Sequence, residues 1–528
     1  MSSLARRRFA YLLVALGSLG IAGCPGGGKP PEETPPPENP PPPTAVVHNR
    51  AEIATLTPDQ VEALRAGVAL MQKRAATDPT SWTYQANIHG VPVAGDNCPV
   101  ETTPMQEAWA TCQHGSFFFL SWHRIYLYYF ENILRAAVRE AKGDPNYEFS
   151  LPYWDYSNGS PQLPPPFTSP PDATNSLFVS ERRTACNTAT PGVDCVSVAQ
   201  GSSKDAMDTI PVCNCPDGEA SCDGCIAGLL PDQTLFGQFT PQPEHFLGEF
   251  GELELQPHNV IHNRVGAATG WMSDPDCAAR DPIFWLHHAN IDRLWQTWLN
   301  QNADRVNPIG SNAWTTQTFT FFDEKGQKVQ KTGCDILNMV SQLNYQYVEA
   351  GVPLPVQNVV LCSGTPPTVA PPTPPAPAPK VTMLAASPER GTVLGRDAVT
   401  VSVPLPAAKS LEIKGLVADA KPEKVRLVVE GLELLGKGGV YEVYIDLPAG
   451  QKPDPTGPYF VGHISLFGHV GHGAKVSRSF DLSDEVRELD QKGEWKGDAR
   501  VTIVPSDGKE AGASVLRFRR ATLVTPGS

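Results

Sequence analysis

The sequence has little basic charge, and what it has is not gathered into patches. Formal charge is -14 over 528 residues, from 42 Lys and Arg against 56 Asp and Glu. Arg6, Arg7 and Arg8 fall in residues 1–23, which hold no acid, so without that segment the balance is 39 minus 56, or -17. An acidic chain without basic clusters argues against a nucleic-acid partner, because that affinity rests on grouped cations. The apolar run Phe9 to Ala22 is too short to span a bilayer as a stable helix. Carboxylates are missing from two sets of three histidines, His89, His114 and His123, then His258, His262 and His288. Neutral imidazole suits copper, zinc, nickel and iron, but dinuclear zinc and iron hydrolases usually recruit Asp or Glu. The sets therefore point to a pair of copper ions in a helical core.

The N-terminus reads as an export signal. Three arginines lead into the apolar run, and Ile21-Ala22-Gly23-Cys24 resembles a bacterial lipobox, in which Cys24 becomes the lipidated first residue. Arg6-Arg7-Arg8-Phe9 also resembles a twin-arginine signal, though ordinary positive charge at a signal's start explains it equally. The expectation is a signal over 1–23, a proline-rich tether over 24–45, and an exported lipoprotein anchored on the periplasmic or cell-surface side of a membrane. A second proline-rich linker over 365–380 separates a histidine-rich body from a different kind of domain. At 528 residues the chain has room for two or three domains.

Helical signals dominate the first body. Thr57-Pro58-Asp59-Gln60 reads as a capping box, after which Val61, Leu64, Val68 and Met71 share one face. His123, Leu127 and Glu131 fall on one stripe, so Glu131 is expected to orient a histidine from behind. His258 and His262, four apart, can point at one metal from one helical face, and His288 and Asp292 repeat the spacing.

His114, Phe119, Trp122-His123-Arg124, Leu127 and Glu131, with Asp281-Pro282, Phe284, His288 and Asp292, resemble both copper signatures of the tyrosinase and polyphenol oxidase family, in order and at family-like separation. The resemblance implies that His89, His114 and His123 bind one copper and that His258, His262 and His288 bind a second. It makes His287 a buried, hydrogen-bonded histidine beside the ligand. Trp82 to His89 looks like the plant polyphenol oxidase stretch, yet the cysteines that follow the plant histidine are missing after Gly90. Cys112 instead lies two before His114, as in fungal tyrosinases and molluscan haemocyanins, which implies a Cys112–His114 thioether. Glu254 and Asn259 stand where tyrosinases are proposed to hold a water that deprotonates a monophenol. Pro275 stands where plant enzymes often carry a bulky gate over the first copper. Phe319 to Asp335 resembles the plant middle module.

The implied fold is mainly α: a helical-bundle dicopper core over 46–310 with a Cys-rich insertion at 169–232, then the middle module over 311–364. An all-β sandwich over 381–528 would follow, similar to the plant tail domain that shields the active site, with strands at Val399–Val403, Val425–Leu435, Tyr441–Asp446 and Val501–Val504. Of twelve cysteines, Cys24 and Cys112 set aside, ten remain for disulfides in an oxidising compartment. Cys186, Cys195, Cys213, Cys215, Cys222 and Cys225 crowd the insertion; the last four also have the spacing of a zinc site. His463, His469 and His472 in the tail are read as surface or turn histidines, against a copper-loading site. The activity implied is dioxygen-dependent oxidation of phenols, with latency until the tail is removed. A strict catechol oxidase, an aminophenol oxidase and a haemocyanin-like oxygen carrier share the same ligands.

Overall fold

A computed structural model describes residues 46–526, apart from 115–117, 157–161, 189–194, 197–252, 268, 302–306, 308–311, 358, 360, 363–380, 419–424, 436–438, 456, 466, 468–475, 496 and 507–515. The signal, Cys24, the tether, the linker, His469, His472 and Cys213, Cys215, Cys222 and Cys225 lie outside the described residues.

Among the described residues, five helices of eight residues or more build the first body. Helix α1 (Pro58–Lys73) starts at the capping box read from sequence, with Thr57 and Gln60 bonded reciprocally. Helix α2 (Trp82–His89) is capped by the Ser81 hydroxyl, and α3 (Phe119–Lys142) is the longest. Helix α4 (Asn259–Gly266) follows a wide turn over Glu254–His258 that contains Pro257. Helix α5 (Ile283–Gln301) opens at Asp281, whose Oδ1 accepts from Ile283 N and from Arg182 while Oδ2 takes Arg182 Nε. Leu64, Val68 and Met71 of α1 are buried in one apolar core with Phe130, Leu134 and Val138 of α3 and Trp285 of α5, so the ligand-bearing helices share a close-packed support.

The strand His48–Ala51 pairs in parallel with Tyr345–Glu349, which brings the start of the described chain beside the middle module. Phe319–Phe322 and Lys328–Lys331 form a hairpin, and Cys334 is bonded to Cys362.

The C-terminal part has its own core of alternating strand residues, including Leu427, Val429, Val443, Ile445 and Val501. One antiparallel sheet has the spatial order Phe460–Ser465, Val440–Ile445, Ala499–Pro505, Val399–Val403. A second is centred on Arg426–Leu434, paired with Arg520–Pro526, Leu516–Phe518 and Val476–Asp481. The sheets carry two helices that the strand patterning did not announce, Ala407–Ala418 and Ser483–Gln491. Among the described residues, no helix is long and apolar enough to cross a membrane.

Candidate metal centre

Five of the six histidines come from the end or start of a helix, and His114 lies outside any helix, in the chain before α3. His89 ends α2, His123 lies in the first turns of α3, His258 and His262 flank the start of α4, and His288 lies early in α5. One possible ligand atom from each of His89, Cys112, His114 and His123 lies within 4.8 Å of the others; the same holds for His258, His262, His287 and His288. The His123 and His288 rings stack at 4.3 Å and 5°, which joins the two groups. Phe119, 4.7 Å from both His123 and His258, and Phe284, 4.9 Å from His89 and 4.3 Å from His288, pack between the imidazoles.

Hydrogen bonding fixes which nitrogen faces inward. His89 Nδ1 lies 2.8 Å from Pro275 O, His123 Nδ1 2.8 Å from Phe119 O, and His262 Nδ1 2.7 Å from Met272 O. His258 Nδ1 lies 2.9 Å from Asn259 Oδ1. A carbonyl oxygen only accepts, so these four rings carry their proton on Nδ1 and keep the Nε2 lone pair. His89 Nε2 and His258 Nε2 are buried with no hydrogen-bond partner, and His262 Nε2 stands 3.4 Å from His288 Nε2. Burial lowers the pKa of His89 to about 4 and of His258 to about 3, and holds His123, His262 and His288 well below the ordinary value, so the rings are neutral at neutral pH. Converging neutral nitrogens without a carboxylate ligand form a donor set suited to copper.

Glu131 and Asp292 do their work one layer further out than expected. Glu131 accepts from Arg50 Nε at 2.8 Å, Arg135 at 2.8 Å and Leu151 N at 3.0 Å, so among these bonds none goes to a histidine. Asp292 accepts from Arg124 Nε at 2.5 Å, Tyr345 at 2.6 Å, Tyr347 at 2.7 Å and Arg50 at 3.4 Å. Burial raises both carboxyls, but the guanidiniums outweigh it and hold both below the ordinary range. Arg124 follows His123 and Asp292 lies one turn after His288, so the pair ties α3 to α5 at the point where their rings stack. Arg50 lies 3.6 Å over the Tyr345 ring and bridges both acids.

The C-terminal domain reaches into this centre. Phe467 stacks on His262 at 3.8 Å and 13°, with its edge contacts 5.5 Å from His114 and 5.6 Å from His258. Two residues earlier, Ser465 Oγ donates to Asn259 O at 2.9 Å and accepts from Asn263 Nδ2 at 2.7 Å, while Asn259 Nδ2 donates to Ser465 O at 3.4 Å. Arg264 donates to Ser506 of the same domain, and Val260 packs against Val440.

The chain matches the common central domain of tyrosinase over residues 79–301 and the polyphenol oxidase middle domain over 310–358. Residues 380–517 match a domain of unknown function. It is 31% identical over 504 residues to a tyrosinase from Hahella sp., covering 88% of this chain and 97% of that one. It belongs to the tyrosinase family. A chloroplastic polyphenol oxidase from Vitis vinifera is 32% identical over 291 residues, 52% of this chain and 43% of the relative. Latent apple tyrosinase shares the fold at a TM-score of 0.58 and 20% identity, with 92% of this chain and 98% of that one covered. The chain is thus an oxidoreductase of the tyrosinase and polyphenol oxidase type, a copper protein family whose metal the two imidazole groups fit.

Within this tyrosinase-family frame, several expected residues take unexpected positions. His287 is fully buried and stacks on His258 at 5.3 Å and 23°, but neither ring nitrogen has a hydrogen bond, contrary to the hydrogen-bonded role read for it. Pro275, read as a gate, meets the centre from behind, through its carbonyl on His89; the ring that lies over the imidazoles is Phe467. His463 is neither surface nor turn. It lies on the strand Phe460–Ser465 opposite Glu442, buried, with its pKa lowered to about 3 by burial and by Arg264 and Arg478. Glu254 is buried, and its charge adds to burial in holding the Cys112 thiol well above its ordinary pKa. Cys186 pairs with Cys195 and Cys98 with Cys277. Phe467, Met272 and Asn263 were missed from sequence; the only signal for Phe467 was an aromatic set among the glycines and histidines of the tail.

Proposed function

We propose that the chain is a dioxygen-dependent oxidase with two copper ions that hydroxylates monophenols to o-diphenols and oxidises o-diphenols to o-quinones, and that it is latent while its C-terminal domain stays in place. His89, His114 and His123 would hold one copper, and His258, His262 and His288 the other. The observation that carries the reading is the Phe467 ring stacked face to face on His262. An aromatic ring from another domain fills the slot beside the inward Nε2 atoms, where a phenol would have to lie. Copper, when bound, supplies the redox change and the site for dioxygen.

The protein's own residues bind, orient and move protons. The His262 face, with Phe119 and Phe284 packed among the ligands, sets the plane of an incoming ring. Glu254 and Asn259 hold a water that takes the proton of the phenol hydroxyl, so that the substrate binds as phenolate. In the covered form Asn259 Nδ2 is engaged with the Ser465 carbonyl, and withdrawal of the domain frees that N–H for the water.

Cys112 Sγ lies 3.6 Å from Nδ1 and 3.9 Å from Nε2 of His114, the two atoms that flank Cε1, so a sulfur–carbon bond there needs a short approach. Forming it removes one hydrogen from each partner, a two-electron oxidation for which the dioxygen of the proposed activity would be the oxidant, taking up both hydrogens as hydrogen peroxide. The peptide containing Cys112 and His114 from copper-loaded protein is expected to be lighter by two hydrogens and inert to alkylation; a freely alkylated Cys112 would end the thioether reading.

Export with a lipid anchor at Cys24 places the enzyme outside the cytoplasm, and the described disulfides Cys98–Cys277, Cys186–Cys195 and Cys334–Cys362 support an oxidising compartment.

The test is oxygen consumption by the copper-loaded protein, before and after cleavage in the 363–380 linker, with a monophenol and a catechol in parallel. Uptake with both, rising sharply after cleavage, is the expected result. Uptake with catechol alone makes it a diphenol oxidase, and reversible oxygen binding without turnover makes it a carrier.

A further inference from the structure

One short segment, Trp271–Cys277, holds a ligand of each metal group. Met272 O accepts from Nδ1 of His262 at 2.7 Å, and Pro275 O accepts from Nδ1 of His89 at 2.8 Å. The two helices that carry these ligands end against the same segment. A Cβ on Gly90, the residue after His89, would lie 2.6 Å from Asp276 Cα and 2.8 Å from Pro275 O. One on Gly266, the last residue of α4, would lie 2.2 Å from Ser273 N. Only glycine lets the backbones come this close. The segment is a tight turn in itself, with Asp274 N bonded to Trp271 O, and Cys277 N and Ala278 N bonded to Asp274 O.

Its other attachment is to residues 97 and 98. Asn97 N donates to Asp274 Oδ2 at 2.9 Å, and Asn97 Nδ2 donates to Gly270 O at 3.0 Å. Cys98 is bonded to Cys277, and both are buried. The segment is thus gripped near its start, at its middle and at its end from one loop.

We propose that Asn97 and the Cys98–Cys277 disulfide are positioning residues for both metal groups at once, acting through the carbonyls of Met272 and Pro275. This rests on the reading that the two groups bind copper. An imidazole turns freely about its Cβ–Cγ bond unless something fixes Nδ1, because that torsion is broad. The two carbonyls fix it, and with it the direction of each Nε2 lone pair. A shift of the segment re-aims one ligand in each group together. The Cys334–Cys362 disulfide joins parts of the middle module instead, and serves as the comparator.

The experiment uses the full-length, copper-loaded protein and four forms: unaltered, Cys98→Ser with Cys277→Ser, Asn97→Ala with the disulfide intact, and Cys334→Ser with Cys362→Ser. Copper remaining per chain is followed during exposure to a strong chelator, and the midpoint of thermal unfolding is measured with and without copper. Both Asn97→Ala and the Cys98/Cys277 pair are expected to lose copper at least tenfold faster. Their loss should draw on both ions rather than leave half the metal behind, and the rise in midpoint that copper confers should shrink. The Cys334/Cys362 pair should unfold at a lower temperature in the metal-free state yet keep its copper as the unaltered protein does. Copper loss within twofold of the unaltered protein in Asn97→Ala, or an equal loss from the Cys334/Cys362 pair, overturns the proposal. If the unaltered protein takes up no copper, the functional reading fails and the proposal fails with it.

Discussion

Phe467→Ala in the full-length, copper-loaded protein raises the rate of catechol oxidation at least tenfold without any proteolysis. The ring stacks on His262 and sits within 5.6 Å of His114 and His258, so truncation opens a slot the size of a small aromatic substrate. Truncating a buried Phe to Ala costs about 3–5 kcal/mol, and part of that loss falls on the closed arrangement of the C-terminal domain over the centre. Each 1.4 kcal/mol removed from the closed state is about a tenfold gain in the open one. The Ser465 and Ser506 contacts remain in the variant, so its activity should stay below that of linker-cleaved protein. Michaelis–Menten kinetics with catechol on unaltered, variant and cleaved protein check the order. An unchanged rate in Phe467→Ala with a large gain on cleavage would mean that the rest of the domain, not this ring, closes the site.

Arg50→Ala destabilises the copper domain by about 3–5 kcal/mol, because it strands Glu131 and Asp292 as buried carboxylates with fewer counter-charges. Arg50 has no exposed surface and bonds Glu131, Asp292 and the Tyr347 hydroxyl while lying over Tyr345. The damage should also reach the metal, since Asp292 ties Arg124, next to His123, to the helix of His288. The expected result is a lower urea midpoint at unchanged slope, with copper content reduced. Arg50→Met combined with Glu131→Gln should recover part of the stability, because removing both charges avoids the stranded one. A variant within 1 kcal/mol of the parent would show that the network is solvated in solution rather than sealed.

The helices were legible because their signals are local. The Thr57–Gln60 capping box formed as read, and the four-residue spacing of His258 and His262 does place two rings side by side, 4.5 Å apart. The sandwich was legible from strand alternation, but its two helices were not: Ala407–Ala418 spreads Lys409, Glu412 and Lys414 around its axis, so that no apolar face stands out in the sequence. What sequence could not give was the partner of each buried group. Glu131 lies on the His123 stripe, yet its charge is claimed by Arg50, 81 residues away, and Asp292 by Arg124, 168 residues away. Backbone carbonyls carry no residue signature, so the parts of Met272 and Pro275 in holding His262 and His89 were invisible. Phe467 lies 205 residues beyond the histidine it covers, and only folding brings the two together.

The Cys334–Cys362 bond gives the chain a hard stop. Any protease that opens the 363–380 linker leaves a ragged new end, and exopeptidases would wear it back towards the body. The bond halts that trimming at Cys362, before it can unravel the strand Tyr345–Glu349, whose two tyrosines bond Asp292. Under the proposed latency, activation could therefore be untidy: cuts at different linker positions would converge on one end point, and the support behind the histidines would outlast removal of the C-terminal domain.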